Sequence, residues 1–415
     1  MHISKSTSTM NSSTIQSGTL AFRKVNLAFF AAGFVTFITL YDMQPLLPEF
    51  AREFGISPAW ASLPLSAASL TLAVAMLLAG TLSETMGRKP VMMGALFLTS
   101  ILALSTAFCH SFSSLVVLRF IQGLVLAGLP PVAMAYLNEE IEPATVGTAM
   151  GLYISGNAIG GMSGRLFTAT VTDFFSWNLA LGLVGLISLG LSCYFAFNLP
   201  PSVNFRRRPF EYRYFFTSVL QKLRDPHLLC LYGISFMVMG SFVTLFNYIT
   251  FRLLGGEYGL SHTVVSLVFL TYLLGAYCSS TVSKLVNRFG RFLTIRACVA
   301  TMFAGIVLTL ARPLPLVILG IAVFTCGFFG AHTVASTWVG RHAKTAKAQA
   351  AALYLFFYYL GSSLSGTAGG FCWAGAGWHG VVGFIGMLLL AALVFTVILA
   401  RLSVGLGKIP LSARS

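Results

Sequence analysis

Long apolar runs separated by short polar breaks repeat along the whole chain, and their lengths match a membrane span rather than a soluble helix. Twelve such runs fall at roughly 25–48, 61–83, 90–108, 114–137, 147–170, 179–198, 228–251, 263–285, 292–310, 316–339, 348–371 and 380–400. Each is near the ~20 residues that a helix needs to cross a bilayer. Backbone amides cannot stay unpaired in lipid, so these runs predict helices. A membrane β-barrel would need polarity alternating with period two, and no such alternation is present. The longest polar interval, Leu199 to His227, opens with Pro200-Pro201 and divides six spans from six. The pattern therefore predicts an all-α integral membrane protein of twelve transmembrane helices in two pseudo-symmetric bundles. Its parts are a 1–24 N-tail, a 25–198 bundle, a 199–227 linker, a 228–400 bundle and a 401–415 C-tail. Phe215, Phe216, Val219 and Leu220 could give the linker one short interfacial helix.

The polar breaks carry a repeat. Gly80-Thr-Leu82-Ser-Glu84-Thr-Met-Gly87-Arg88-Lys89 returns as Ser283-Lys-Leu285-Val-Asn287-Arg288-Phe-Gly290-Arg291, with Gly87 and Gly290 203 positions apart. Ala149, Leu152, Tyr153 and Gly160 recur as Ala350, Leu353, Tyr354 and Gly361, 201 positions later. The fifth and eleventh spans are thus equivalent, and the halves are parallel repeats of the kind that build many secondary transporters.

Composition adds weight to the membrane reading. Hydrophobic residues make up 56% of the 415 and charged residues only 9%, against about 25% charged in a soluble domain. The net charge of +15 could suggest nucleic acid, but its placement does not. With both ends on one side, all but five of the 26 Lys and Arg fall in the tails, loops and helix ends of that side. Arg52, Arg252 and Arg312 lie opposite, and Arg119 and Arg165 lie within spans. This positive-inside bias predicts cytoplasmic termini in a bacterial inner membrane. Arg206-Arg207-Arg208 reads as an orienting run, and no nucleic-acid partner is expected. Residues 1–19 hold ten Ser or Thr and no apolar run, so no cleavable leader is expected there. Seven scattered cysteines show no CxxC and no metal spacing, which suits small packing residues and implies neither a disulfide framework nor a metal site.

The turn at 80–89 resembles the signature loop between helices 2 and 3 of the major facilitator superfamily, with Glu84 where Asp is usual. Leu118-Arg119-Phe-Ile-Gln122-Gly123-Leu-Val-Leu-Ala127-Gly128 resembles its helix-4 motif. Gly156-Asn157-Ala-Ile-Gly160-Gly161 is similar to its antiporter motif on helix 5, with Asn157 replacing the usual proline. The segments from Gly151 to Arg165 and from Gly327 through His332 look like the YnfM-type branch of bacterial drug and sugar exporters. The resemblance implies the major facilitator fold, a drug/proton antiporter working by alternating access, and an Arg119 that lines the path and couples proton to substrate.

Charged side chains at mid-bilayer cost about 2.5–3.5 kcal/mol each, so each needs a reason. Asp42, Arg119 and Arg165 all count to the outer part of the first half and should face its interior. Arg119 reads as a coupling residue or as an anchor on backbone carbonyls joining helices 1, 4 and 5. Asp42, beside Gln44 and Pro45, reads as a proton switch or an exposed acid at a bent helix end. Arg165 could bind an anionic or hydroxylated substrate or pair with Asp173. His332 could be a relay or a hydrogen-bonded core residue. Asn157, Asn247 and the tyrosines 248, 272, 277, 354, 358 and 359 could line an amphipathic or sugar-like ligand, although such aromatics also sit at lipid interfaces.

Gly156, Gly160 and Gly164 share one helix face, repeated as Gly361, Ser365 and Gly369, which predicts close packing or a flexing contact between halves. In the repeated turn, Gly80, Glu84, Gly87, Arg88 and Lys89 suggest a conformational latch. Glu84 would meet the start of the eleventh helix near Ala348, and Arg88 would pair with Glu139 or Glu140. Arg288, Gly290 and Arg291 form the second copy, weaker because Asn287 lacks the acid.

No phosphate loop and no catalytic triad order is present, which argues against ATP-driven transport and against an enzyme. The expectation is a monomeric, proton-coupled exporter of small organic compounds, amphiphilic drugs first and sugars or metabolites second. It needs no cofactor beyond the proton gradient. A facilitator or importer, or a non-transporting receptor, are the alternatives.

Overall fold

A computed structural model describes residues 14–205, 207, 212–343 and 347–407, without the side chains at 81, 212, 214–216, 348 and 404–407. Arg206, Arg208, Lys344 and the side chains of Phe215 and Phe216 therefore lie outside what is described.

Among the described residues twelve helices cross the molecule. In the first half these are α1 (Leu20–Tyr41), α2 (Leu63–Met86), α3 (Arg88–Thr106), α4 (Phe112–Leu126, resumed as Pro130–Glu140), α5 (Val146–Phe174) and α6 (Trp177–Asn198). A linker helix, Tyr212–Leu223, precedes α7 (Pro226–Leu254). Next comes α8, which starts as His262–Ser266, tightens to a 3-10 turn at Leu267–Leu270 and continues as Thr271–Phe289. It is followed by α9 (Arg291–Leu308) and α10 (Leu314–His342). The last helical stretch, Lys347–Gly407, breaks at Ala376 and Gly377 into α11 (347–375) and α12 (378–407); Gly377 supplies the φ of +57° that turns the chain. The first helix begins at Leu20, ahead of the expected 25, because Thr19 accepts the Phe22 N–H and caps it. In α4 the break precedes Pro130 and Pro131, which lack the N–H groups an unbroken helix would use.

The repeated turn is the same device twice. Gly87 (φ +102°) ends α2 and Gly290 (φ +77°) ends α8, each donating its N–H to the carbonyl four residues back, Ser83 and Val286. A side chain at either φ would be strained, so glycine recurs where each half must reverse direction.

Inside the halves, α1 runs along α5 and α7 along α11, in equivalent pairs. Gly156, Gly160 and Gly164 lie against Phe30, Phe34 and Ile38 of α1. On the other side, Gly361 packs on Phe236, Ser365 sits against Gly240 and Gly369 meets Thr244 and Tyr248, all on α7. A Cβ at Gly33 would come 2.5 Å from the Tyr153 carbonyl oxygen, closer than atoms pack. The small-residue faces thus bring backbones together within each half. That corrects the expected contact between halves: the neighbouring half is not what these glycines touch.

With an even number of spans, the start of α1 and the end of α12 lie at one end of the bundle, here the terminal end; the other is the distal end. Ile15 pairs with the loop before α5, its N–H donating to the Glu140 carbonyl oxygen at 2.7 Å. Among the described residues, every side-chain hydrogen bond joining the two halves lies toward the distal end. Ser363 donates to the Ser66 carbonyl oxygen (2.8 Å), Thr367 to the Ser66 hydroxyl (2.8 Å), and Gln44 to Asn247 (2.8 Å). Asp173 of α5 accepts the His262 and Thr263 backbone N–H groups at 2.9 and 2.6 Å, closing over the start of α8.

Candidate functional site

The charges of the first half converge at the distal end of α1. Asp42 is the C-cap of that helix, and its backbone carbonyl oxygen accepts the Thr168 hydroxyl from α5 at 2.8 Å. Only 1% exposed, it is a buried acid and not the exposed acid that one reading of its position allowed. Its carboxylate faces the Arg119 guanidinium at 3.2 Å. Arg119, fully buried on α4, also donates to the Thr39 and Leu40 carbonyl oxygens at 2.5 and 2.7 Å and to Gln122 at 2.8 Å. Those two carbonyls are open because α1 is ending and the chain passes into the 3-10 turn at Gln44–Leu46 that Pro45 favours. Anchor and ion pair are therefore the same residue.

Arg165 of α5 lies in the next layer. Its Nε donates to Gln44 (2.6 Å), one Nη donates to the Gly161 carbonyl oxygen (2.5 Å), and its guanidinium lies 4.2 Å from the Tyr41 ring centre. Phe269 and Tyr272 of α8 offer two more faces, at 5.1 and 5.0 Å. The expected alternative pairing with Asp173 is absent, since that carboxylate is spent on the start of α8. Among the described residues no carboxylate lies within ion-pair distance of Arg165. Gln44 relays the contact onward, its amide N–H reaching Asn247 of α7, so Arg165, Gln44 and Asn247 form one chain across both halves.

Aromatic and imidazole groups of the second half close the space. Tyr358 lies among Tyr41, Tyr272, Tyr354 and Tyr359. His332 of α10 shares a hydrogen bond with the Tyr354 hydroxyl at 3.0 Å and lies 4.9 Å from the Tyr358 ring. Tyr248 instead donates to the Gly366 carbonyl oxygen, and Tyr277 is exposed on the outer surface. Asn157 is not in this layer; it sits on the α1–α5 contact beside Gly33.

At the terminal end Arg88 pairs with Glu139 at 2.7 Å and donates to the Ser83 hydroxyl and the Gly80 carbonyl oxygen, while Lys89 donates to Leu199. Glu140 does not share Arg88; it binds Asn204 of the linker. Among the described residues Glu84 makes no hydrogen bond to α11, and residues 344–346 and the Ala348 side chain, where its partner is expected, lie outside them. Arg288 stacks by Phe289 and Arg291 over Trp338. Gln122 stands in the helix-4 motif without a role of its own there, and neither Thr168, which binds the Asp42 carbonyl, nor the Asp173–His262 closure has a sequence signature.

Two equivalent six-helix halves, joined at one end around buried charges that reach both, are the architecture from which many membrane transporters are built. The chain belongs to the Major Facilitator Superfamily, whose family model matches residues 26–366. It is 49% identical over 387 residues to an uncharacterized MFS-type transporter, YybF, of Bacillus subtilis, covering 93% of this chain and 96% of that one. It is 43% identical over 379 residues to the inner membrane transport protein YnfM of Escherichia coli, covering 91% of each. By shape it resembles the crystal structure of the nucleoside transporter NupG (TM-score 0.72, 14% identity, covering 91% of this chain and 99% of that one). It likewise resembles a bacterial homolog of the lysosomal transporter Spinster in an inward-facing, occupied conformation (TM-score 0.71, 14% identity, covering 96% of this chain and 99% of that one). The protein is thus a multi-pass membrane transporter and not an enzyme.

Proposed function

We propose that the protein exports small organic compounds in exchange for protons, with Asp42 as the proton site and Arg119 as its partner. The buried Asp42–Arg119 pair carries this reading. Arg119 holds two backbone carbonyls and Gln122 besides the carboxylate. It therefore keeps neutral acceptors when Asp42 is protonated, which makes loss of the ion pair tolerable in a buried setting. Asp42 lies two residues before Gln44, so a change at the carboxyl group reaches Arg165 and Asn247 and hence both halves. With the termini in the cytoplasm, as the positive-inside bias suggests, the closed distal end faces outward.

Transport in proteoliposomes tests this against a panel of dyes, sugars and amphiphiles. Asp42→Asn should retain substrate exchange yet lose uptake driven by an imposed pH gradient, and Arg119→Ala should lose both. PH-driven transport undiminished in Asp42→Asn would sink the proton assignment. Ligand binding without flux would point to a receptor.

Amphiphilic drug-like compounds are the first substrate class, since Phe269 and Tyr272 of the second half pack on Arg165 and Tyr354 and Tyr358 pack on His332. A second reading is favoured by Arg165. A buried guanidinium with three aromatic faces and no carboxylate partner suits a small aromatic anion, and proteins named as 4-hydroxybenzoate and niacin/nicotinamide transporters match about two fifths of this chain. Arg165→Gln should then abolish transport of aromatic carboxylates while sparing neutral dyes.

A further inference from the structure

At the terminal end of the second half, remote from the Asp42–Arg119 pair, three side chains from two helix ends meet. Asp225 closes the linker and caps α7, its Oδ1 accepting the His227 and Leu228 N–H groups at 2.9 and 3.3 Å. His342 lies in the last turn of α10 with Nε2 3.0 Å from Asp225 Oδ2. His227, the second residue of α7, is nine-tenths buried, and its ring stacks on that of His342 with centres 4.9 Å apart. Its Nδ1 stands 3.7 Å from Asp225 Oδ1, too far for a hydrogen bond, and its Nε2 is buried without any partner. A buried imidazole nitrogen without a partner is costly and calls for an explanation.

We propose that Asp225, His227 and His342 form a binding site for a first-row transition-metal ion of the Zn2+ class. Ligands held about 2.0–2.1 Å from a tetrahedral ion stand roughly 3.3 Å from one another. The separations of 3.0 and 3.7 Å bracket that value, and one donor atom from each residue fits within 4.8 Å of the others.

Two imidazoles with one carboxylate select Zn2+, Co2+ or Ni2+ over Ca2+ or Mg2+, which prefer all-oxygen shells. Three protein ligands leave a fourth position for water. A bound ion would clip the start of α7 to the end of α10. It would thereby fix the points where the linker and the loop toward α11 enter the second half, without touching the Asp42–Arg119 pair.

Untagged full-length protein in detergent, freed of metal with a chelator, tests the site by Zn2+ calorimetry and by the visible spectrum of added Co2+. The wild type should bind one ion per chain, with the intense absorption of four-coordinate Co2+. His342→Gln, on a partly exposed last turn, should keep the wild-type elution profile and melting temperature in the absence of metal. It should bind at least about 10-fold more weakly. His227→Gln should behave alike, and added Zn2+ should raise the melting temperature of the wild type only. Failure of the wild type to bind either ion, or wild-type affinity in both variants, overturns the assignment.

Discussion

Arg119 and Asp42 show how a buried charge is made tolerable, and the arrangement fixes what substitutions should do. Removing one member leaves the other unpaired away from water, at about 3–5 kcal/mol. Removing both leaves only the cost of the empty space and of the Thr39 and Leu40 carbonyls. Arg119→Ala is therefore expected to lower the thermal stability of the purified protein more than the Asp42→Ala/Arg119→Ala double variant does. Equal losses, measured by thermal denaturation in one detergent, would show that the carbonyl contacts and not the ion pair hold the residue. The importance of both positions is legible in the sequence, because a charge inside an apolar run has few permitted environments. Their partners are not. Gln122 and Thr168 are ordinary polar residues in helical sequence, and only the fold puts their oxygens beside Arg119 and Asp42. The Gln44–Asn247 bond comes closer to legibility. The two residues lie 203 positions apart, the same offset as Gly87 and Gly290. Equivalent side chains near a two-fold axis can meet, and these do.

Helices and their ends are the level at which the sequence speaks most clearly, since run length alone defines a span. Contacts between helices are less clear. The glycines of α5 announce close packing, yet spacing names a face and not its partner, which proves to be α1 of the same half. Asp173 illustrates a contact with no sequence signature, because its partners are backbone N–H groups at the start of α8. Hydrogen bonds to a charged acceptor contribute about 1.5–3 kcal/mol each. Asp173→Asn halves the acceptors and turns an amide N–H toward a backbone donor. The distal closure should weaken by ~2 kcal/mol, moving the population toward the distal-open form by roughly thirtyfold. In a cysteine-free background, a Ser66→Cys reporter should then react faster with a membrane-impermeant maleimide. An unchanged labelling rate would mean that Asp173 stabilises α8 without gating it.

For the whole molecule, the asymmetry between its ends is the informative property. Hydrogen bonds accepted by Ser66 and Asp173 and donated by Gln44 tie the halves at the distal end, whereas Glu84 stands without a partner at the terminal end among the described residues. Alternating access requires that the first set break as the second forms, so each must be weak enough to exchange. Ser66 and Thr367 face each other across the boundary with hydroxyl oxygens 2.8 Å apart, making them the natural place to arrest the cycle. With the seven native cysteines replaced by serine or alanine, Ser66→Cys together with Thr367→Cys should form a disulfide on mild oxidation. Transport should stop, while binding of substrate from the terminal side persists and reduction restores flux. Either cysteine alone should transport at the background rate under the same oxidant. If the oxidised pair still transports, the halves do not separate at this boundary, and the rocking motion would have to pivot elsewhere. Glu84→Ala supplies the complementary experiment at the other end: by removing a contact absent from the distal-closed form, it should slow transport without lowering the stability of that form.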